Sequence, residues 1–190
     1  MDQRAEDARA AMAAMAQGDR QALGRLVALY GPGLTRYAAQ MLDAPSEAED
    51  VVQEVFLKAW HNAGRYDPAK AAVSTWLYRI AVNHCIDRSR RTRFRRFIGL
   101  EATDEMSDDG PGAAAIHESR DRLAHTRAAI AELPDRQRRA ILLRAAGDMS
   151  TAEIAATMGV SPGAVEQLLV RARNTLRRQL DPDELEERRP

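Results

Sequence analysis

The sequence contains one cysteine, few aromatic residues and no long apolar run, and each shortage narrows what the protein can be. The single Cys85 excludes an internal disulfide and any multi-cysteine metal site, which is typical of a reducing compartment. The apolar stretch AAMAAMA near the start is far shorter than the roughly 18 residues of a membrane span. We therefore expect a cytoplasmic protein with no signal peptide, no membrane span, no metal and no cofactor.

Patterns typical of β-strands are also nearly absent. Apolar residues instead recur every three or four positions along most of the chain, which predicts helices. From Phe97 to about Ser119 this period fails, and the segment holds a Gly-Pro-Gly and many acids, which favours an extended or disordered linker. The expected fold is all-α, with two small helical domains (1–96 and 122–181), a flexible acidic linker (97–121) and an acidic tail (182–190).

The net charge of zero conceals a strong segregation of charge along the chain. Residues 43–54 carry five acids and no base, whereas residues 79–96 carry seven arginines and one acid. Residues 101–118 carry six acids and no base, and residues 120–178 carry eleven arginines and six acids. Basic surfaces therefore alternate with acidic ones, and basic surfaces suit nucleic acid. All nine aromatic residues lie at or before Phe97, so the two halves are expected to differ in function.

Local signals in the first half predict where its helices begin and end. In GDRQALGRLVALYGPG, Asp19 is a candidate cap, and an interruption is expected at Gly31-Pro32-Gly33 before a second helix that runs through Leu42. In APSEAEDVVQEVFLKAW, Ser46 and Glu49 have the spacing of a capping box. The segment STWLYRIAVNHCIDRSRRTRFRR begins as an amphipathic helix with two aromatics and ends in arginines.

The second half contains the most specific motif, STAEIAATMGVSPGAVEQLLVRAR. Ser150 and Glu153 repeat the capping-box spacing, Gly159 turns the chain, and Ser161 followed by Pro162 restarts a helix. This spacing is typical of a helix-turn-helix, whose second helix enters the major groove. The alternative is an ordinary helical hairpin, but a basic flank follows the motif where phosphates would lie: Arg171, Arg173, Arg177 and Arg178.

With these residues in hand, the chain resembles a bacterial RNA polymerase sigma factor of the sigma-70 family, of the extracytoplasmic-function (ECF) type. The segments AEDVVQEVFLKAW, STWLYRIAVNHCIDRSRR and LPDRQRRAILLRAAGDMSTAEIAATMGVSPGAV stand in the order and at the spacing of that family. The resemblance implies a subunit that binds core RNA polymerase, recognises the -35 and -10 promoter elements and nucleates DNA melting, without being an enzyme. It also implies a cognate anti-sigma factor as a partner.

The resemblance further implies roles for individual residues. Core polymerase, with its clamp helices and flap, is the implied partner, and its clamp helices would dock on the acidic helix face at Glu49, Asp50, Gln53 and Glu54. The -10 element, held as a single strand, would contact Tyr66, Lys70, Ser74, Arg79, Asn83, Arg88, Arg90 and Arg91. The -35 duplex would contact Pro162, Gly163, Glu166, Gln167, Val170, Arg171, Arg173, Asn174 and Arg177.

Several of these roles have a plainer alternative. On composition alone, the acidic helix face and RTRFRR would be solvated surfaces, and the acidic linker would be a flexible spacer. The resemblance implies instead that the linker occupies the RNA exit channel of the polymerase. Trp76 and Tyr78 fit either a protein core or a DNA surface. Many members of the family have Arg or Lys where this chain has Glu166 and Leu168, so the preferred -35 sequence is open. Glutamate can still accept from cytosine and glutamine can pair with adenine.

Other functional classes fit less well. Asp50, Glu54 and His61 fall near one helix face, as the ligands of a helical metal enzyme would, but the Glu-x-x-His signature of helical di-metal sites is missing. No Gly-rich phosphate loop or recognisable nucleophile occurs either. The main alternative is a two-domain helix-turn-helix regulator that does not bind polymerase. A protein that binds polymerase without initiating is a third possibility.

Overall fold

The computed structural model describes residues 3–97 and 114–180, and its regular structure in those ranges is helical. Short 3-10 turns lie at Pro45–Glu47 and Ala63–Arg65. No strand occurs in the described ranges, so the all-α prediction is confirmed, and no described helix is long and apolar enough to cross a membrane. The helices are α1 (Gln3–Ala16), α2 (Arg20–Met41), α3 (Ala48–Asn62), α4 (Val73–Phe97), α5 (Ala114–Ala131), α6 (Asp135–Gly147), α7 (Thr151–Met158) and α8 (Pro162–Leu180).

Helix α2 continues through Gly31-Pro32-Gly33, where an interruption was predicted. The cap is as expected, since the Asp19 carboxylate accepts from the Gln21 amide at 2.8 Å. Pro32 lacks an amide donor and so removes one helical hydrogen bond, yet the helix continues to Met41. Both flanking glycines, Gly31 and Gly33, are buried in the packed interior of the fold. Packing on this stretch outweighs the local preference for a break, and the predicted interruption is wrong.

Helix α3 begins later than its capping-box spacing predicts. Pro45 starts a 3-10 turn, and the Ala48 amide donates to the Pro45 carbonyl. Ser46 therefore lies inside that turn, and Glu47 occupies the cap position without a side-chain hydrogen bond. The Ser46 cap is wrong, because the proline fixes the preceding turn. The placement of Glu49 in the first turn, which the helix dipole favours, is as expected.

The helix-turn-helix forms as its sequence predicts. The Ser150 hydroxyl accepts from the Glu153 amide at 3.2 Å, and the Glu153 carboxylate accepts from the Ser150 amide at 2.9 Å. Gly159 ends α7 with a φ of 67°, in the left-handed region that favours glycine. Ser161 then accepts from the Ala164 amide at 3.3 Å at the start of α8.

The predicted linker is partly helical. Helix α4 reaches Phe97 and α5 begins at Ala114, so residues 114–121 are helical where an extended or disordered segment was expected. The cause is packing further along α5, where Ala129 is buried and Ile130 packs against the core. The remaining linker residues, 98–113, and the predicted tail at 182–190 lie outside the described residues.

The two helical units share one apolar core. Tyr78 of α4 is only 1% exposed, and its ring meets that of Tyr37 edge-on with centroids 6.0 Å apart. Leu143 and Met149 of the second unit belong to the same buried cluster. Tyr78 is therefore a core residue, which answers the question that its sequence position left open. The units pack against each other over α2, α4, α6 and α7.

Candidate nucleic-acid and polymerase interface

The residues predicted to bind polymerase lie together on the outer side of α3. Helical periodicity buries Val51, Val52 and Val55 beneath them, which leaves the polar positions in solvent. The resulting surface carries three carboxylates and one amide, and no base stands among them in the sequence. It would suit a positively charged partner, and we call it the acidic face: Glu49, Asp50, Gln53 and Glu54 are all exposed.

The acidic face is tied to α4 through Glu54. The Glu54 carboxylate lies 3.0 Å from His84 Nδ1 and 3.7 Å from the Arg88 guanidinium, and Arg88 Nε donates to Glu47 at 2.6 Å. Burial, with a further contribution from Lys58, lowers the pKa of His84 although Glu54 opposes the shift. His84 is therefore neutral at pH 7 and can donate to Glu54 through Nδ1. Arg88, predicted to contact DNA, is paired in this structure with these two carboxylates.

The loop before α4 is braced by two aromatic side chains. The Tyr66 hydroxyl donates to the Ala71 carbonyl at 2.8 Å, and the Tyr66 ring lies 5.5 Å from the half-buried Trp76 ring. Partial burial raises the pKa of Tyr66, so this hydroxyl stays protonated at neutral pH. Lys70 is exposed and lies 3.4 Å from Asp67. The geometry leaves a partly open aromatic pair, which is suited to stacking against a base.

Helix α4 divides the predicted -10 residues into two groups. Asn83, Arg90 and Arg91 are exposed. Ser74 and Arg79 instead contact α7: the Ser74 hydroxyl donates to the Glu153 carboxylate at 2.8 Å, and Arg79 donates to the Ala156 carbonyl at 2.7 Å. The structure thus brings two of the first unit's predicted DNA residues against the helix-turn-helix of the second.

The outer face of α8 presents the predicted -35 residues. Val165, Leu169 and Ala172 are buried on the opposite side, which fixes the rotation of the helix. A cleft of about 550 Å³ beside α8 is lined by Arg171, Arg177 and other polar side chains of α6 and α8, and it would accommodate phosphate groups. The residues exposed on this face are Pro162, Gly163, Glu166, Gln167, Val170, Arg171, Arg173, Asn174 and Arg177.

Several contacts that organise these surfaces were not predicted from the residue pattern. His84 and Glu47 were not singled out, and Glu153 was recognised only as a cap. Burial raises the pKa of the Cys85 thiol to about 12, so it behaves as a small core residue. No group of three or more His, Cys, Asp or Glu side chains in the described part of the chain is arranged to hold a metal ion.

Comparisons with known proteins agree with this geometry. The model of Sigma-70 region 2 matches residues 26–95, and that of Sigma-70, region 4 matches residues 126–176. The chain is 35% identical over 186 residues to the RNA polymerase sigma factor CnrH of Cupriavidus metallidurans, covering 94% of this chain and 97% of that protein. It is 32% identical to the ECF RNA polymerase sigma factor SigW of Bacillus subtilis, covering 86% and 91%.

Two solved structures have a similar fold. One is CnrH in complex with the cytosolic domain of CnrY, with a TM-score of 0.71 and 30% identity, covering 93% of this chain and 99% of that chain. The other is the sigma factor RpoE in complex with the anti-sigma factor NepR from Bartonella quintana, with a TM-score of 0.69 and 25% identity, covering 84% and 97%.

Proposed function

Because this chain belongs to the sigma-70 family as a sigma factor of the ECF type, we propose that its surfaces divide the work of transcription initiation among them. It is a polymerase-binding initiation factor, and the alternative of a regulator that does not bind polymerase is not favoured. In our proposal residues 1–96 form the unit that binds core polymerase and melts DNA, and residues 122–181 form the unit that reads the upstream element. Residues 97–121 connect them, and residues 182–190 form a tail.

In this proposal the acidic face docks on the basic clamp helices of core polymerase, and the second unit contacts the flap. The supporting observation is that all four residues of the face are exposed on one side of a helix whose other side is buried. Charge complementarity would orient the encounter and raise its rate. The factor would itself perform no chemistry, since the family consists of sigma factors, which are not enzymes.

Binding of the purified protein to core RNA polymerase tests this assignment without knowledge of the promoter. Glu49→Lys with Asp50→Lys reverses two charges of the acidic face and leaves the Glu54 contacts with His84 and Arg88 intact. We expect this variant to bind core polymerase more weakly, mostly through a slower association rate. Glu6→Lys with Asp7→Lys on α1 is the matched control, because it makes the same charge change on another exposed helix surface. Equal binding by both variants would remove the acidic face from the interface.

The proposed DNA contacts follow the basic surfaces. A flipped -10 base would be held in and beside the braced loop by Tyr66, Lys70 and Ser74. The exposed Asn83 would contact the same DNA strand. Cations would hold the backbone of that strand at Arg79, Arg90 and Arg91. The exposed face of α8 would enter the major groove of the -35 duplex, where Glu166 and Gln167 stand near its N-terminus to read bases. The site is expected to act in the cytoplasm, where polymerase works.

We also propose a cognate anti-sigma factor as a partner, because one similar solved structure is a complex of a sigma factor with its anti-sigma factor. An apolar groove of about 1180 Å³ lies between α2, α3, α5 and α6, and the apolar side chains of Val27 and Leu123 are exposed in it. This exposed apolar surface would suit a protein partner. Val27→Asp would place a charge in the groove. We expect it to weaken binding of the anti-sigma factor, measured with purified proteins, whereas Arg178→Asp, outside the groove, is expected to leave binding unchanged.

A further inference from the structure

A small cleft between α4 and α6 is lined mainly by arginines. Its volume is about 100 Å³, and four guanidinium groups line it: Arg90 and Arg93 from α4, and Arg138 and Arg139 from α6. Asp135 is the only carboxylate among the described residues that line the cleft, and the other lining residues are uncharged. Four positive charges and one negative charge leave this cleft with a formal charge of +3. We call it the arginine cleft.

The one carboxylate cannot balance the four guanidinium groups. The same Asp135 oxygen lies 3.2 Å from Arg138 and 3.5 Å from Arg93, so two cations share one acceptor. Arg139 Nε donates to the Asp135 backbone carbonyl at 3.1 Å, which carries no full charge. Within the described ranges, neither Arg90 nor Arg139 forms an ion pair with a carboxylate. The excess positive charge of the cleft is therefore open to an anion.

Polar atoms in and beside the arginine cleft are buried without full hydrogen bonding. Arg138 is only 9% exposed, and its Nε has no partner among the described residues, although its other nitrogens donate to Ala131 and Asp135. The Tyr37 hydroxyl nearby is also buried without a partner in this part of the chain. Burial raises the pKa of Tyr37 although the charges of Arg138 and Arg139 oppose the shift. A buried guanidinium is costly unless an anion compensates it, and Asp135 is already shared.

The chemistry of the arginine cleft favours a phosphate group. Each guanidinium presents parallel N–H donors that match two oxygens of a phosphate, and a concave surface of one charge concentrates the electric field. The volume is well below the roughly 300–1,000 Å³ of a pocket for a drug-sized ligand, so the cleft suits a phosphate group but not a whole nucleotide. A phosphate in a DNA backbone is joined to sugars on both sides, which hinders approach to the nearly buried Arg138. A terminal phosphate has no such obstacle.

We propose that the arginine cleft binds the terminal phosphate group of a small molecule, with inorganic phosphate as the simplest ligand and Arg93, Arg138 and Arg139 holding its oxygens. The site goes beyond the proposed contacts with promoter and polymerase, and it shares only Arg90 with them. Because its arginines come from both units, a bound phosphate would add contacts between α4 and α6.

Thermal unfolding of the full chain in inorganic phosphate tests the proposal directly. The phosphate concentration is raised above neutral pH while sodium chloride keeps the ionic strength constant, so that general screening does not change. We expect the Tm to rise and then to level off, because a ligand that binds the folded state stabilises it. The ³¹P resonance of phosphate is expected to broaden when the protein is added. A flat Tm together with an unchanged ³¹P line width would overturn the proposal.

Two variants locate the binding. Arg93→Gln and Arg139→Gln each remove one guanidinium at positions that are less buried than Arg138, so the fold is expected to tolerate them. Each is expected to weaken phosphate affinity by about tenfold, as the loss of a hydrogen bond between charged groups implies. The matched controls are Arg95→Gln on α4 and Arg136→Gln on α6, which make the same charge change at exposed positions outside the cleft. Equal weakening by the controls would mean that phosphate responds only to net charge, and it would overturn the proposed site.

A second arm distinguishes a small phosphate ligand from the backbone of DNA. The same variants are titrated with random duplex DNA at several salt concentrations. We expect Arg139→Gln to leave the slope of log K against log salt unchanged, because its guanidinium is reserved for the smaller ligand. If inorganic phosphate does not bind, while Arg93→Gln and Arg139→Gln each reduce that slope by about 0.9, the arginines contact the DNA backbone and the proposal is wrong.

Discussion

Replacing Arg88 by alanine separates a role in linking helices from a role in binding DNA. Arg88 Nε donates to the Glu47 carboxylate at 2.6 Å, with the two side chains 31% and 37% exposed, and its guanidinium lies 3.7 Å from Glu54. A hydrogen bond between charged groups contributes about 1.5–3 kcal/mol when well shielded, but this pair is partly open to solvent. Screening reduces the expected loss to about 1 kcal/mol. In a chain of this size that lowers the Tm by about 2–4 °C, which thermal unfolding followed by circular dichroism would measure.

The same variant has a clear expectation for DNA. Because Glu47 and Glu54 already balance the charge of Arg88, its loss is expected to leave the salt dependence of binding to random duplex DNA unchanged. A lost phosphate contact would instead reduce the slope of log K against log salt by about 0.9. Arg91→Ala is the control, since Arg91 is exposed on the same helix and is expected to reduce the slope. A reduced slope for Arg88→Ala together with an unchanged Tm would refute the reasoning.

Two other substitutions test separate parts of the structure. Arg171→Ala on the outer face of α8 is expected to weaken duplex binding and to reduce its salt slope by about 0.9, whereas an unchanged slope would exclude a phosphate contact there. His84 has a lowered pKa in the folded protein, so the unfolded chain binds its proton first as the pH falls. Stability is therefore expected to decline as the pH drops from 7 through the usual histidine range near about 6.5, and His84→Gln should flatten that decline in urea unfolding series.

The helix-turn-helix could be predicted from sequence because its determinants act within a few residues of one another. The Ser150 and Glu153 bonds close over one turn, and the positive φ of Gly159 is a preference of that residue alone. The same reasoning failed at Pro32 and Ser46. At Pro32 distant packing maintained the helix, and at Ser46 a preceding proline had already fixed the turn. Local rules succeed where the competing interactions are also local.

Contacts between distant segments gave no signal in the sequence. The bond from Ser74 to Glu153 and the pair formed by Glu54 and His84 depend on how helices pack, and neither residue type nor spacing indicated them. The faces of α3 and α8 were nevertheless predicted correctly as surfaces, since helical periodicity determines which side is buried. The exposure of a candidate site residue could therefore be predicted, but not the partner that it has inside the protein.

The alkylation rate of the buried Cys85 thiol reports on the opening of the core in the unmodified protein. Cys85 lies on α4 in the shared core, and its raised pKa makes alkylation slow while that core stays intact. Opening of that core, by separation of the two units or by local melting of α4, would accelerate alkylation. Following the labelling of this one atom by mass spectrometry, in the free factor and in the polymerase complex, shows whether the core around Cys85 opens when polymerase binds, without any introduced probe.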